Sequence, residues 1–317
     1  MKVTGIGGGI GASRLWRVLA PVVDDLTLVV NTGEDLWHYG LRVCPDIDTT
    51  LYALSDRQDL ERGWGLRGET FRVMDEVRGL GDPVWFNLGD RDLATHLLRT
   101  GWLREGVGLA EATARLAVSM GVAARVLPMT EQEVTTTVVT EDRRHLHYEE
   151  YLVREACAPR ITEVAYAGAG IATPAPGVLS AIADADVVVV APSNPVASID
   201  PILAIPGVRE ALARRRADVI AVSPIVAGVP ITNAGEQRRA DSRAALLRLQ
   251  GDEPVPSAVA ARYADICSRF ALDPSDDIHR AAVASAGIEP IVAPLLFHLG
   301  ASPTGLVTAL LRTTTPA

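Results

Sequence analysis

The sequence predicts an α/β fold: a mostly parallel sheet flanked by helices, with a small antiparallel insertion and a helical C-terminal part. Three observations carry this reading. The short strand-like stretch Met1 to Gly5 passes through the glycine-rich Gly7 to Gly11 into the apolar-faced Ala12 to Leu19, a strand–loop–helix unit. Leu26 to Val30 and the run DVVVV at 186–190 are apolar without alternation, as strands buried on both faces of a parallel sheet require. Val134 to Thr140, by contrast, is β-branched and alternating, the pattern of an antiparallel strand.

Taken in order, the first strand and helix are followed by Leu26 to Val30, which ends at Asn31-Thr32-Gly33. Glu69 to Val77 has helical character, and Val84 to Leu88 reads as a strand ending at the turn Gly89-Asp90. This β/α alternation behind a glycine-rich first turn makes the expected sheet Rossmann-like. Gly108 to Met120 is Ala-rich and helical; Val134 to Thr140 and His145 to Val153 then mark a β insertion at 130–165. The run at 186–190 re-enters the sheet and leads into Ala191-Pro192-Ser193-Asn194-Pro195. Ile202 to Arg214 reads as a helix and Val219 to Val222 as a further strand. Ala240 to Leu249 and Ser257 to Phe270 read as helices of a helical subdomain at 229–285, and the whole of 1–317 as one α/β domain.

Composition narrows the function. With 48% hydrophobic and 22% charged residues the 317-residue chain has ample core and no disorder signature. A formal net charge of −9 argues against nucleic acid, whose phosphates demand clustered Lys and Arg. No apolar run is long enough to span a bilayer and the N-terminus opens on a strand, so a cytoplasmic protein acting on small molecules is expected. The three cysteines lack CxxC spacing and read as buried free thiols, with Cys44 beside an acidic cluster; the six histidines lack ligand spacing. No G-x-S-x-G is present to suggest a serine hydrolase.

Four constellations carry chemistry. Gly7, Gly8, Gly9 and Gly11, between a strand and a helix, free backbone N–H groups toward an anion such as phosphate, or simply make a tight β–α turn. The strict GxGxxG fingerprint fails because Ile10 takes the third position, and Asn31 stands where a nicotinamide-dinucleotide enzyme needs an acidic residue, so an oxidoreductase is disfavoured. Glu34, Asp35, Asp46 and Asp48 gather oxygens suited to Mg²⁺, although Asp48 also reads as a helix cap. Arg91, in NLGDRDLA, offers a forked donor for phosphate or a polar ring, or a surface ion pair with Asp90 or Asp92. Ser193, Asn194 and Ser198 on a proline-stiffened loop suit phosphate oxygens, a base edge, or helix capping.

The ordered set NTGEDLWHYGLRVCPDIDTTLYAL, GWGLRGETF, NLGDRDLATHLLRT, YEEYLVR, PAPGVL, APSNPVASIDPILAIPGVREAL and VSPIVAG resembles the 2-phospho-L-lactate transferase family, whose actinobacterial members are known as phosphoenolpyruvate transferases. The resemblance runs from Met1 to about Gly228 and weakens over Val229 to Arg239 and the C-terminal GIEPIVAPLLF. It implies a Mg²⁺-dependent transferase of deazaflavin coenzyme F-420 assembly. A phospholactyl or phosphoenolpyruvyl group would move from a guanosine-diphosphate-linked donor to a ribityl hydroxyl of the deazariboflavin Fo, with release of GMP; the donor's organic acid, lactate, enolpyruvate or glycerate, stays open. By the same resemblance Asp48 and Arg91 would bind Fo, with Arg91 standing where many relatives have lysine. Asp46 and Asp48 would hold the metal, and Gly7, Gly8, Gly9, Gly11, Ser193, Asn194 and Ser198 would serve the guanosine diphosphate. Asp48 or Asp35 is a candidate proton acceptor. A homodimer is expected. The competing expectation is a nucleotide- or nucleotide-sugar-binding protein of related fold without Fo chemistry, which should lack the acidic pair.

Overall fold

The computed structural model describes residues 1–231, 234–300 and 302–312. Its strands are β1 (Lys2–Gly7), β2 (Asp25–Val30), β3 (Leu36–His38), β4 (Leu41–Val43), β5 (Arg125–Pro128), β6 (Thr135–Thr140), β7 (His145–His147), β8 (Ile161–Ala167), β9 (Val187–Val190), β10 (Val219–Val222), β11 (Arg269–Leu272) and β12 (Glu289–Val292). Seven of them form one sheet in the order β12-β11-β10-β9-β1-β2-β5, every neighbouring pair parallel. The fold is thus the expected Rossmann-like α/β sheet. The expected insertion is a separate antiparallel sheet of order β7-β6-β8.

The apolar runs behave as a two-faced sheet demands. Within β9, Val188 and Val190 enter one apolar core while Val187 and Val189 enter the other, so no position on this strand faces water. On the second face lie α1 (Gly9–Leu19) and α2 (Pro45–Leu54), followed in sequence by α3 (Arg72–Gly79), α4 (Asp90–Arg104) and α5 (Leu109–Met120). Helix α1 buries Ala12, Leu15, Trp16 and Leu19, and α2 starts at Pro45, whose missing N–H costs nothing at a first helical position.

Sequence and structure differ in several places. Ile202 to Arg214 is not one helix but the helices Asp200–Leu203 and Val208–Arg214, separated by a turn in which Gly207 takes a φ of 92°, and the extended pattern of His145 to Val153 is a strand only to His147, followed by the π-helical turn Glu150–Arg154. Val84–Leu88 is not a strand: it packs with Leu36, Val43 and Met74 in a small apolar cluster of its own, against the β3–β4 hairpin. Ser257 to Phe270 is not one helix but the helix Pro256–Arg262 followed by β11, and β12 follows at Glu289–Val292. Both strands have only four residues and lack a sustained β-branched run, so their pattern is too short to separate from a buried helix segment. The C-terminal part therefore adds two sheet strands as well as helices, including Ala234–Leu249, which begins earlier than its periodicity shows. Thr232 and Asn233, in the divergent VPITNAGEQRR stretch, lie outside the described residues. Among the described residues no helix is long and apolar enough to cross a membrane.

The sheet has one topological switch point. From β1 the chain builds outward through β2 and β5 on one side and through β9 to β12 on the other. The crevice beyond the carboxyl ends of β1 and β9 is where such folds take ligands.

Candidate active site

The β1–α1 loop and the loop after β9 close on each other at that crevice. The Gly8 N–H donates to Ser193 Oγ at 3.2 Å and the Ser193 hydroxyl donates back to the Gly8 carbonyl at 2.8 Å. A Cβ on Gly8 would overlap the Asp46 carboxylate, and one on Gly11 would overlap the Pro192 carbonyl, so both positions require glycine for close approach. Helix α1 has no acidic residue of its own in its first turn, and the Asp46 carboxylate approaches its positive end, where it accepts from the Gly9 N–H.

Next to this loop lies a buried acidic cluster. Asn31, directly after β2, donates through Nδ2 to Glu34 Oε1 at 3.2 Å and to Asp46 Oδ2 at 2.9 Å, and its Oδ1 accepts from the Gly33 N–H at 2.9 Å. Ser198 Oγ donates to Glu34 Oε1 at 3.1 Å. Burial, reinforced by the charges of Asp46 and Glu149, pushes the Glu34 carboxyl well above its usual range. Burial likewise lifts Asp46 to about 7, against the Asn31 hydrogen bond, and lifts Glu149 to about 8 with Asp46 adding to the effect. Among the described residues none of the three forms an ion pair with Lys, Arg or His. Because Asn31 is consumed by this cluster, the end of β2 offers no acidic acceptor for a ribose hydroxyl, which weighs against a nicotinamide dinucleotide.

A second cluster centres on Asp48. Arg99, fully buried, grips both Asp48 oxygens in a fork, with Nη1 to Oδ2 at 3.1 Å. Burial works against the Arg99 charge, but Asp48 raises its pKa beyond the usual range. His96 Nδ1 lies 3.6 Å from Asp48 Oδ2, His96 Nε2 lies 3.1 Å from Asp92 Oδ2, and Tyr52 OH donates to Asp92 Oδ1 at 2.5 Å. The His96–Asp92 approach is close in distance but off-line in angle, leaving Nε2 without a hydrogen bond. One ligand atom each from Asp48, Asp92 and His96 lies within 4.8 Å of the others, the arrangement of a potential metal site. Asp35, beneath them, faces Arg42 at 3.3 Å, and burial lifts it to about 6 in spite of that cation.

Two adjoining cavities open over these clusters. The first, of about 280 Å³, is lined by Asp46, Asp48, Asp92, His96 and Glu149 and by the rings of Tyr52, Trp64, Trp85 and Phe86. The second, of about 330 Å³, runs from Gly8, Gly9 and Gly11 past Ser193, Asn194 and Ser198 and is flanked by Arg14, Arg239 and Arg243. They share Gly9, Ile10, Glu34, Leu152 and Arg239. Arg239 is depressed to about 10 by burial and by Arg14, and burial also lowers Arg243. A compartment walled by guanidinium groups and a helix N-terminus is suited to a diphosphate. The other, acidic and aromatic, is suited to a flat polar ring with hydroxyls.

The residues singled out from sequence are thus distributed. Gly8, Gly9, Gly11, Ser193, Asn194 and Ser198 line the second cavity; Gly7 ends β1 beneath it. Asn194 Oδ1 caps the π-helical turn Pro195–Ile199, accepting from the Val196 and Ala197 N–H groups. Asp46 and Asp48 both line the first cavity but sit in different clusters. Arg91 lines neither: it is exposed, and its guanidinium donates to the Arg67 carbonyl. The sequence reading did not single out Glu149, His96, Arg99, Arg14, Arg239 or Arg243, and took Asp92 only as a surface partner of Arg91. Of these, Asp92, His96 and Arg99 carry a recoverable signal, since a helix capped at Gly89 puts positions four and three apart on one face.

Comparison with known proteins shows the family and the fold. The family model described as 2-phospho-L-lactate transferase CofD matches residues 3–259. A phosphoenolpyruvate transferase of Kitasatospora aureofaciens is 41% identical over 304 residues, covering 93% of this chain and 92% of that protein. A phosphoenolpyruvate transferase of Mycolicibacterium smegmatis is 43% identical over 254 residues, covering 75% and 78%. Among solved structures, a member of the UPF0052 family from Bacillus halodurans shares the fold with a TM-score of 0.57 at 19% identity, covering 98% of each chain.

Proposed function

The chain belongs to the 2-phospho-L-lactate transferase family, and from that premise we propose that its cleft moves a phosphoenolpyruvyl or phospholactyl group from a guanosine-diphosphate-linked donor to the ribityl hydroxyl of Fo. The names of the relatives favour enolpyruvyl as the transferred acid. The observation that carries the reading is the pair of adjoining cavities, one acidic and aromatic, one basic and glycine-lined, meeting at Gly9, Glu34 and Arg239. An acceptor seated in the first places its hydroxyl beside a diphosphate seated in the second. The hydroxyl oxygen forms a bond to the phosphorus bearing the organic acid, the bond from that phosphorus to the bridging oxygen breaks, and GMP leaves with the electron pair. The hydroxyl proton would pass to a carboxylate of the first cavity, with Asp48, which lines it, as our candidate; a loose transition state asks little of that base. β11 and β12 extend the sheet that carries both cavities, which supports the chain working as one α/β domain.

The donor chemistry of the acidic cluster fits Mg²⁺. Glu34, Asp46 and Glu149 present oxygens only and have no ion-pair partner among the described residues, whereas Asp48 is already charge-paired to Arg99 and shares its group with an imidazole. Asp46 with Glu34 would therefore hold the ion, and Asp48 would face the acceptor. Bound there, Mg²⁺ supplies charge neutralisation of the diphosphate and the transferred group. Calorimetric titration with Fo, with guanosine diphosphate and with NAD tests the reading. Binding of Fo and guanosine diphosphate is expected. Guanosine diphosphate without Fo would move the protein to a nucleotide-binding role lacking Fo chemistry, and NAD binding would overturn the reading.

A further inference from the structure

The acidic cluster is assembled from two separate sheets. Glu34 and Asp46 lie in the stretch of chain that follows β2, whereas Glu149 stands two residues past the end of β7, in the antiparallel insertion. The Glu34 and Glu149 carboxyls are nonetheless hydrogen-bonded to each other in the interior. Two acids carried by separate sheets, each disfavoured as a charge by burial and by Asp46, need a tether to stay in contact. We propose that His147 is that tether, a positioning residue that fixes the Glu149 carboxylate against Glu34, so that the cluster offers a cation three carboxylates instead of two; the inference rests on the reading of this cluster as the Mg²⁺ site.

His147 spends both ring nitrogens on the backbone. The Glu149 N–H donates to His147 Nδ1 at 3.0 Å, and Nε2 faces the Asp35 carbonyl at 3.3 Å. A backbone N–H can only donate and a carbonyl can only accept, so the two bonds together admit one form of the ring, neutral with its hydrogen on Nε2. The imidazole thereby clamps the main chain next to Glu34 to the main chain of Glu149. On the other side of Glu34, the Thr136 N–H of β6 donates to the Gly33 carbonyl at 2.7 Å. Both carbonyls that flank Glu34 are thus tied to the insertion, one by its backbone and one by His147.

The end of β7 has little else to set its distance from Glu34. This strand has three residues, lies at the edge of its sheet and pairs with β6. Glu150 Oε2 accepts from the His147 N–H at 3.0 Å and Glu150 Oε1 accepts from Arg154 Nη1 at 2.8 Å, bonds that shape the π-helical turn Glu150–Arg154 itself. Tyr148 serves a different neighbour: its hydroxyl shares a hydrogen bond of 2.8 Å with Ser242 of the helix Ala234–Leu249. Of these side chains, His147 is the one that reaches back to the loop after β2. Groups that orient a metal ligand from behind in this way cost roughly 10–100-fold in metal affinity when they are removed.

The test is calorimetric titration of the full-length protein with Mg²⁺, comparing wild type with His147→Ala, His147→Asn and Leu146→Ala, beside a thermal melt of each. His147→Ala should weaken Mg²⁺ by roughly 10–100-fold. His147→Asn keeps an acceptor near the place of Nδ1 and should recover part of that affinity. Leu146, buried in the core one residue away, is the structural control, and Leu146→Ala should lower Tm while Mg²⁺ affinity stays near the wild-type value. Unchanged Mg²⁺ affinity in His147→Ala overturns the inference and leaves the metal reading standing. Equal weakening in Leu146→Ala also overturns it, because the integrity of β7 would then be all that matters. A wild type that binds no Mg²⁺ overturns the metal reading itself, and this inference falls with it.

Discussion

Gly8 is the point at which the glycine-rich loop and the acidic cluster touch, because its missing side chain is the space that the Asp46 carboxylate occupies. Gly8→Ala must displace either the loop or the carboxylate. We expect it to lower kcat by on the order of a hundredfold, the scale of a misplaced reacting group, while costing only about 1–3 kcal/mol of stability. Steady-state kinetics beside a thermal melt would separate the two, and a variant with unchanged kcat would remove Gly8 from the site. Glu149 makes a pH prediction. Burial lifts it from 4.5 to about 8, so the folded protein holds that proton more tightly than the unfolded chain does. Its contribution is complete below pH 4.5 and is lost as pH rises toward 8. With chelator present, Tm should fall across that window, and Glu149→Gln should flatten the fall and raise Tm at its alkaline end. An identical slope in the variant would contradict the assignment. The acids at 34, 46 and 48 are visible in sequence because they crowd one short segment, whereas Glu149 arrives from the β insertion and only folding places it beside them.

At the scale of elements, α4 shows how a motif can be legible while its working residues are not. The motif NLGDRDLATHLLRT marks the helix start, and Arg91 is its conspicuous cation. Gly89 caps the helix, however, and Arg91 sits exposed in its first turn with its guanidinium on the Arg67 carbonyl. Asp92, His96 and Arg99 follow the helical period onto the cleft face instead. Arg99 then ties α4 to α2 through Asp48 and to β4 through the Arg42 carbonyl at 3.2 Å. Removing either partner of this buried pair strands the other charge. Asp48→Ala is therefore expected to lose activity and about 3–5 kcal/mol of stability together. The double variant Asp48→Asn with Arg99→Leu should recover part of that stability but none of the turnover, a result read by denaturant melts of the full cycle. Additive losses would mean that the two side chains act separately. The β insertion and the valine run of β9 were readable because β-branched composition is a strong local signal, whereas β11 and β12 are too short to announce themselves.

Over the whole molecule, the switch point after β1 and β9 sets the axis of the cleft, and the helix Ala234–Leu249 completes it from outside the sheet. This helix brings Arg239 to the seam between the two cavities and Arg243 into the second, a placement that no local pattern reveals because the contact spans the length of the domain. Among the described residues Arg239 has no ion-pair partner, although Arg14, which depresses its pKa, pairs with Glu236 at 3.1 Å. On the proposed reading, a guanidinium at the seam would meet the transferred phosphorus rather than the ends of either substrate, so its charge would be used most where negative charge spreads during transfer. Arg239→Gln should therefore reduce kcat by about 10²–10³-fold, the cost of losing one preorganised donor, while Fo affinity stays near the wild-type value. Arg239→Lys should recover part of the rate because it restores the charge without the fork. Steady-state kinetics with both substrates varied, beside calorimetric Fo binding, measures this directly. A variant that loses Fo affinity and keeps kcat would instead assign Arg239 to the acceptor's cavity, and one that weakens only guanosine diphosphate would confine it to the donor's.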